Sequence, residues 1–567
     1  MAIVLLYWTY LFLSTVSVGI ACVSVCKIKE YNPFILPFIG GFGIAIIAGV
    51  WSIWGDLGSA FEMSLASSSL ISIGIYRKNV LTYLFSLKAK ITALPLFSKL
   101  LLGTLFVFAL AQSASAPYVI DNESYYIQTI KWLDTYGFVP GLANLHYFLG
   151  QHSGWHILQS ALNLNSISNV LNDINGFYLL LGNAYALDKL QRYFSSKHLI
   201  YLAVGFLPLF NIFFFQFISS PSPDLPIFLI TAIVFTEFSI YYLPIEKEST
   251  PILLLFTLVV FAVFIKVIAI FLLPLPVLLY LKEKEILKKD VLKLGIVSFL
   301  ALIVFVVKNS IISGYLLYPL SLFKQDADWT IPAQLQQYLV EATKSYAFFI
   351  TPDKYEQMTF GNRIIHWLRL PKLHGLFNKA ILALLVVFPI LFRKKLLKTP
   401  YLALYIITGL QLIFLWLSSP QYRFFFGFLV VLSCLILAYF IKQKKHINLL
   451  LGISTIAITV PLFMNFSLKQ LSNNQFNQDL SSFSTLNIIN PHPITKYSNA
   501  QYEKRSLGNL HYYTPTNIDF FWATGDCKLP CIQEQQLHGF KEYFELAPQL
   551  RSTDLKDGFK SVYFPNE

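Results

Sequence analysis

Charge is what this chain has least of. Only 13% of its 567 residues are Asp, Glu, Lys or Arg, about half the share of a typical soluble domain. That scarcity excludes a disordered chain and a coiled coil, and it argues against an ordinary soluble enzyme. Cysteine is also sparse, and five residues are too few to build a disulfide scaffold. Nothing repeats at a solenoid or collagen period, and no tract is of low complexity.

What fills the chain is apolar. Hydrophobic residues make up 55% and aromatic ones 16%, with a mean hydropathy of +0.58. A helix needs roughly 20 apolar residues to cross a bilayer. On that criterion candidate spans fall near 3–26, 34–54, 58–76, 97–116, 174–190, 199–218, 225–244, 251–265, 267–281, 292–308, 379–392, 400–417, 423–441 and 447–466. The expected fold is an all-α polytopic membrane protein of about 14 transmembrane helices. The apolar run 251–281 is split at Lys266 and is read as two helices meeting on one side. The first span lacks a basic leader and a clean cleavage site, so it reads as a retained helix rather than a signal peptide.

The formal net charge of +13 suggests nucleic acid in a soluble protein, but here it has a topological origin. Lys282, Lys284, Lys288, Lys289 and Lys293 share one connection, Arg393, Lys394, Lys395 and Lys398 a second, and Lys442, Lys444 and Lys445 a third. In the expected topology all three lie on one side, which the positive-inside bias makes cytoplasmic. With Lys247 and the other cations of that side the net charge there is about +16, leaving the rest near −3. Nucleic acid is therefore not an expected partner. The parse gives transmembrane helices at 1–117, a first outer loop at 118–173 and core helices at 174–308. A second outer loop follows at 309–378, then helices at 379–466 and a tail at 467–567. The tail mixes aromatics, turn residues and alternation, as a small extracytoplasmic α+β domain does. Within it Cys527 and Cys531 stand four apart in "CKLPC", a spacing suited to a tight disulfide in an oxidising compartment.

Ionisable residues at membrane depth mark function by default, and here they gather at the outer ends of the spans. Asp121 and Glu123 lie in "DNESYY", Asp224 in "PSPDLPIFLI", Lys266 in "FIKVIAIFLLPLPVLL", Lys308 beside the polar Asn309 and the turn residue Tyr315 in "KNSIISGYLLYPL", and Arg423 in "SSPQYRFFFGF". A carboxylate there suits a general base acting on a hydroxyl. Lys and Arg beside it suit a phosphate, Arg by paired hydrogen bonds and Lys as a point charge. Each residue also has a plainer role open to it. Asp121 and Asp224 suit helix N-caps, Lys266 an outward-reaching anchor, and Arg423 a structural pair with Asp224. His152 and His156 in "HSGWH" share a helical face, but without a third ligand they read as headgroup, sugar or structural contacts and no metal site is assigned.

These motifs resemble the GT-C superfamily of multispan membrane glycosyltransferases. "DNESYY" looks like its acidic outer loop. "PSPDLPIFLI" and the Lys-containing "FIKVIAIFLLPLPVLL" are similar to the protein O-mannosyltransferase and aminoarabinose transferase branch. In that branch the acidic loop usually follows the first span, whereas here about four spans precede it. "NSIISGYLLYPL" and "GDCKLPC" resemble bacterial multispan envelope proteins. The resemblance implies a GT-C-like core in the cytoplasmic membrane, with Asp121 as base, Asp224 as second acid and Lys266 on a phosphate. It implies a polyprenyl-phosphate sugar donor, a glycan, lipid or protein acceptor, and leaves open a divalent cation at Asp224. The rival expectations are an O-antigen or polysaccharide polymerase or ligase, and a lipid-linked glycan flippase or transporter.

Overall fold

The computed structural model describes all residues except 166, 244, 246–250, 285–287, 465–468, 470, 475, 477–482 and 565–567. Lys247 and the expected start of the tail at 467 lie outside the described residues. The described residues are mostly helical. Among the described residues nine helices are long and apolar enough to cross a membrane: Ala2–Val25, Leu96–Ser113, Leu199–Phe217, Asp224–Tyr242, Val291–Ser313, Lys372–Leu391, Thr399–Leu417, Tyr422–Phe440 and Lys444–Phe463. Leu36–Trp51, Ser59–Ile75, Ile252–Ile265 and Val267–Lys282 are apolar but shorter.

Nine of the fourteen expected spans thus fall on helices long enough to cross, four fall on the shorter apolar helices, and the expected count of about 14 is not reached among the described residues. The remaining one is Asn175–Ser196, which is helical but carries charge. Its Asp188 pairs with Lys90 at 3.0 Å and its Lys189 with Glu237 at 2.9 Å. Lys90 lies on Arg77–Ala93, a polar helix in a stretch read from sequence as a basic connection.

Burial divides the helices into a centre and a shell. Asp224–Tyr242 is buried along almost all its length and packs against Tyr422–Phe440, Ile252–Ile265 and Asn175–Ser196. Val291–Ser313 instead exposes Leu292, Phe299, Leu300, Leu302 and Ile303. Apolar faces of that extent are a liability in water and are compatible with a bilayer. Ala2–Val25 and Leu36–Trp51 approach closely because glycines line the seam. A Cβ on Gly40 would sit 1.7 Å from the Thr15 carbonyl oxygen, and one on Gly19 2.8 Å from that of Leu36.

Two pieces outside the long apolar helices position the candidate site. In the 114–174 region the chain passes through a wide helical turn, Asn122–Tyr126, into Ile127–Tyr136, and then into Gly154–Leu162. The C-terminal region contains two antiparallel hairpins and a helix. Tyr502–Leu507 pairs with Leu510–Pro515, Leu546–Leu550 pairs with Phe559–Tyr563, and Glu534–Phe544 stands between the hairpins in sequence. The first hairpin turns on Gly508-Asn509, with Gly508 at φ +60°, the left-handed backbone that glycine adopts freely. Cys527 and Cys531 form a disulfide with Cα atoms 5.9 Å apart.

Candidate functional site

Four of the sequence-selected charges meet, although they come from positions 121, 224, 266 and 423. Each is delivered by a helix end. Asp121 immediately precedes the wide turn, and its side chain does not cap that turn. Asp224 is the first residue inside its helix, with Pro223 in the cap position, and its carboxylate, like that of Asp121, faces other charges. Lys266 sits where Ile252–Ile265 ends, in extended backbone at φ −152°. The break frees the Ile265 carbonyl, and Ser153 Oγ donates to it at 2.7 Å, as a helix interrupted in apolar surroundings requires. Arg423 lies in the first turn of Tyr422–Phe440.

The result is an alternating chain, Asp121–Arg423–Asp224–Lys266. Arg423 Nη1 donates to Asp121 Oδ2 at 2.6 Å and lies 3.8 Å from Asp224 Oδ2. Arg423 Nε donates to Gln421 Oε1 at 3.0 Å, which orients the guanidinium. Lys266 Nζ donates to the other oxygen of Asp224. The Phe424 ring centroid lies 4.4 Å from that ammonium and 5.3 Å from the Arg423 guanidinium carbon, so one aromatic ring serves both cations. Asp224 is 2% exposed, whereas the side chains of Asp121 and Arg423 retain 21% and 27% exposure. Lys266 keeps 22%, so both ends of the chain are accessible, one at Lys266 and the other at Asp121 and Arg423.

That end borders a cavity of about 460 Å³, within the range of small-molecule sites. Tyr118, Tyr346, His374 and Tyr422 share its wall with the two charges, and Ile212, Phe213, Phe215, Val460 and Pro461 make an apolar flank. Part of that flank comes from Leu199–Phe217, whose regular helix gives way to tighter turns at Leu207 and Phe215. His374 and Tyr346 were not anticipated. Nothing in "PKLHGLF" distinguishes His374 from any loop histidine, although Tyr422 and Phe424 adjoin Arg423 in "QYRFFFGF".

The other expected site residues lie elsewhere. Glu123 is buried and turned away from Asp121. Its carboxylate accepts from Thr495 Oγ1, from the Lys496 backbone N–H at 3.0 Å and from Asn122 Nδ2 at 3.1 Å. Its own carbonyl accepts from the Thr524 and Gly525 N–H groups at 2.9 Å. Burial raises its pKa against the pull of those donors, and its surroundings are those of a clamp on the C-terminal region. His156 stands one layer behind Asp121, its ring 4.7 Å from that of Tyr126, whose hydroxyl is 3.5 Å from Asp121 Oδ2. Burial, with the charges of Lys308 and Lys266, lowers the His156 pKa to about 3, which keeps the ring neutral. His156 and Ser153 form a reciprocal cap on Gly154–Leu162. His152 is buried, and its backbone carbonyl accepts from Lys308 Nζ at 2.6 Å. Asn309 donates to the Leu316 carbonyl at 3.2 Å and Tyr315 to that of Ile331 at 3.3 Å. Both hold the turn around Gly314, away from the charge chain.

Among the described residues no three His, Cys, Asp or Glu side chains gather as metal ligands would. Asp224, at which a divalent cation was left open, already holds Lys266 and Arg423.

A family model described as Domain of unknown function (DUF8201) matches residues 1–430. The chain belongs to this family. The match contains Asp121, Asp224, Lys266 and Arg423, and it ends inside Tyr422–Phe440, before the disulfide and the two hairpins of the DUF8201 chain described here. No curated protein and no solved structure matches the chain.

Proposed function

We propose that this DUF8201 protein is an integral membrane glycosyltransferase with a GT-C-like core. It transfers a sugar from a polyprenyl-phosphate donor to an envelope glycan, lipid or protein at the outer face of the cytoplasmic membrane. One observation carries the reading: a carboxylate and a guanidinium stand together at the rim of a cavity whose flank is apolar. A lipid-phosphate sugar needs that combination, an apolar bed for its chain, a cation for its phosphate and a base for the attacking hydroxyl.

The chemistry follows from those positions. Asp121 accepts the proton of an acceptor hydroxyl as its oxygen attacks the anomeric carbon. The bond from that carbon to the phosphate oxygen breaks, and its electron pair leaves with the polyprenyl phosphate. Arg423 receives the added charge by paired hydrogen bonds, with Lys266 behind it. In the structure described Arg423 is bonded to Asp121, so a donor phosphate competes for the guanidinium and frees the carboxylate as it binds. Asp224 holds both cations in place throughout. Attack opposite the leaving phosphate inverts the anomeric centre.

The test is the Asp121→Asn variant assayed in vesicles with a polyprenyl-phosphate sugar. The amide retains an oxygen for Arg423 but does not take the proton. Transfer should fall about 10²- to 10⁴-fold while membrane insertion and the unfolding temperature stay unchanged. Full transfer by that variant removes the assigned base and the reading with it.

A further inference from the structure

A second charged concavity lies at the other end of the same helices. Asp224–Tyr242 and Tyr422–Phe440 each have 19 residues, about 28 Å of helix, and each begins at the charge chain. Their far ends, Leu243 and Lys442, line a cavity of about 470 Å³. Lys197, His198, Lys395, Lys398 and Lys442 converge on it from three connections, with Tyr193 and Tyr401 in its walls. Among the described residues no carboxylate pairs with any of these four lysines.

Scattered loop cations of the positive-inside kind face water separately. Here they face one another. Lys395 is half buried, and its ammonium lies 5.5 Å from the Phe392 ring and 5.7 Å from that of Tyr401. Lys197 lies 5.4 Å from the Tyr193 ring, and the Tyr193 hydroxyl donates to the Lys442 carbonyl at 3.2 Å. The aromatic rings thus hold cations around a shared space instead of dispersing them. Burial and the neighbouring lysines lower the pKa of both Lys395 and His198, the direction expected where like charges crowd without a counterion.

We propose that this cavity binds a phosphate-bearing anion, the headgroup of an anionic phospholipid or a soluble phosphate, at a site separate from the charge chain and independent of the transferase reading. An anion there satisfies four ammonium groups at once. Its place at helix ends, beside the apolar Leu199 and Leu243, matches the depth of a headgroup.

Native mass spectrometry of the full chain in detergent, with phosphatidylglycerol or phosphatidylcholine added at equal concentration, tests this. The wild type should retain phosphatidylglycerol in preference to phosphatidylcholine. Lys398→Gln, at an exposed side chain that threatens no packing, should weaken retention about fivefold, and the Lys395→Gln/Lys398→Gln/Lys442→Gln variant about 100-fold. Thermal unfolding with added inorganic pyrophosphate separates the two sources. A lysine-dependent stabilisation by pyrophosphate, without selective lipid retention, assigns the site to a soluble anion. Equal behaviour of wild type and both variants toward lipid and pyrophosphate overturns the proposal.

Discussion

Arg423 is the residue on which the candidate site turns, because one guanidinium serves two carboxylates delivered by different helices. Lysine keeps the charge but has no fork to span both. Arg423→Lys should therefore reduce transfer by roughly 10- to 100-fold, the loss of about 1.5–3 kcal/mol from one charged hydrogen bond, and kinetics on a polyprenyl-phosphate donor checks it. A second residue gives a pH signature away from the site. Asp173 is buried between Ser113 Oγ at 2.6 Å and the Asn175 N–H at 2.8 Å, and burial raises its pKa from 3.8 to about 6 against those bonds. The folded state then binds the proton more tightly than the unfolded chain. The stability that Asp173 contributes is present below about pH 4, is lost as pH rises to about 6, and amounts to about 3 kcal/mol. Asp173→Asn should remove that slope in pH-resolved unfolding, and an unchanged slope would contradict the assignment. Asp121, Asp224, Lys266 and Arg423 were legible as a set because charge is scarce and all four occur at helix ends on one side. Glu123 was not separable from Asp121 by sequence. Residues two apart on a helical turn face different ways, and only the packed C-terminal region reveals what Glu123 faces.

Among the elements, apolar length located the helices well and polar helices poorly. Asn175–Ser196 failed as an apolar span because Asp188 and Lys189 occupy its interior-facing side, paired with Lys90 and Glu237. A buried charge with a buried partner is invisible to a hydropathy window, since the window counts the charge and not its neutralisation. Arg77–Ala93 was missed as a helix for the related reason that its basic residues read as a loop. The glycines of the first helix pair were legible only as composition, yet they fix how closely Ala2–Val25 and Leu36–Trp51 approach. Small residues let helix backbones come together where apolar surroundings supply no driving force between side chains. Gly40→Ala places a methyl group against the Thr15 carbonyl, an immovable backbone atom. It should destabilise the pair by about 1–3 kcal/mol. Cysteines engineered across the seam would report it as slower cross-linking, with Gly295→Ala, whose Cβ meets nothing within 4 Å, as the unaffected control.

At the scale of the whole molecule, the C-terminal region covers the 118–173 stretch through polar bonds as well as apolar packing. Gln128 donates to the Gly525 and Cys527 carbonyls at 3.1 and 3.2 Å, and Lys131 reaches Asp526 at 2.5 Å. Trp522 packs on His146, Tyr147 and Phe148. The Phe559 N–H closes the far edge on the Pro140 carbonyl at 2.9 Å. Glu123 is fully buried in this seam, and it is two residues from Asp121 in the chain. Glu123→Ala leaves Thr495 Oγ1 and the Lys496 N–H without their acceptor, at about 1–3 kcal/mol for each buried group. The spans do not depend on those bonds. The expected outcome is faster proteolytic release of the C-terminal region from an inserted protein, read on gels, with the helices still protected. Because the wide turn Asn122–Tyr126 is pinned from one side by the clamp and carries Asp121 at its start, loosening the clamp should also weaken transfer. Glu123→Gln, which keeps an acceptor oxygen, should restore much of both. Catalysis by Glu123 itself predicts the reverse pattern: loss of transfer in Glu123→Gln with the C-terminal region still protected.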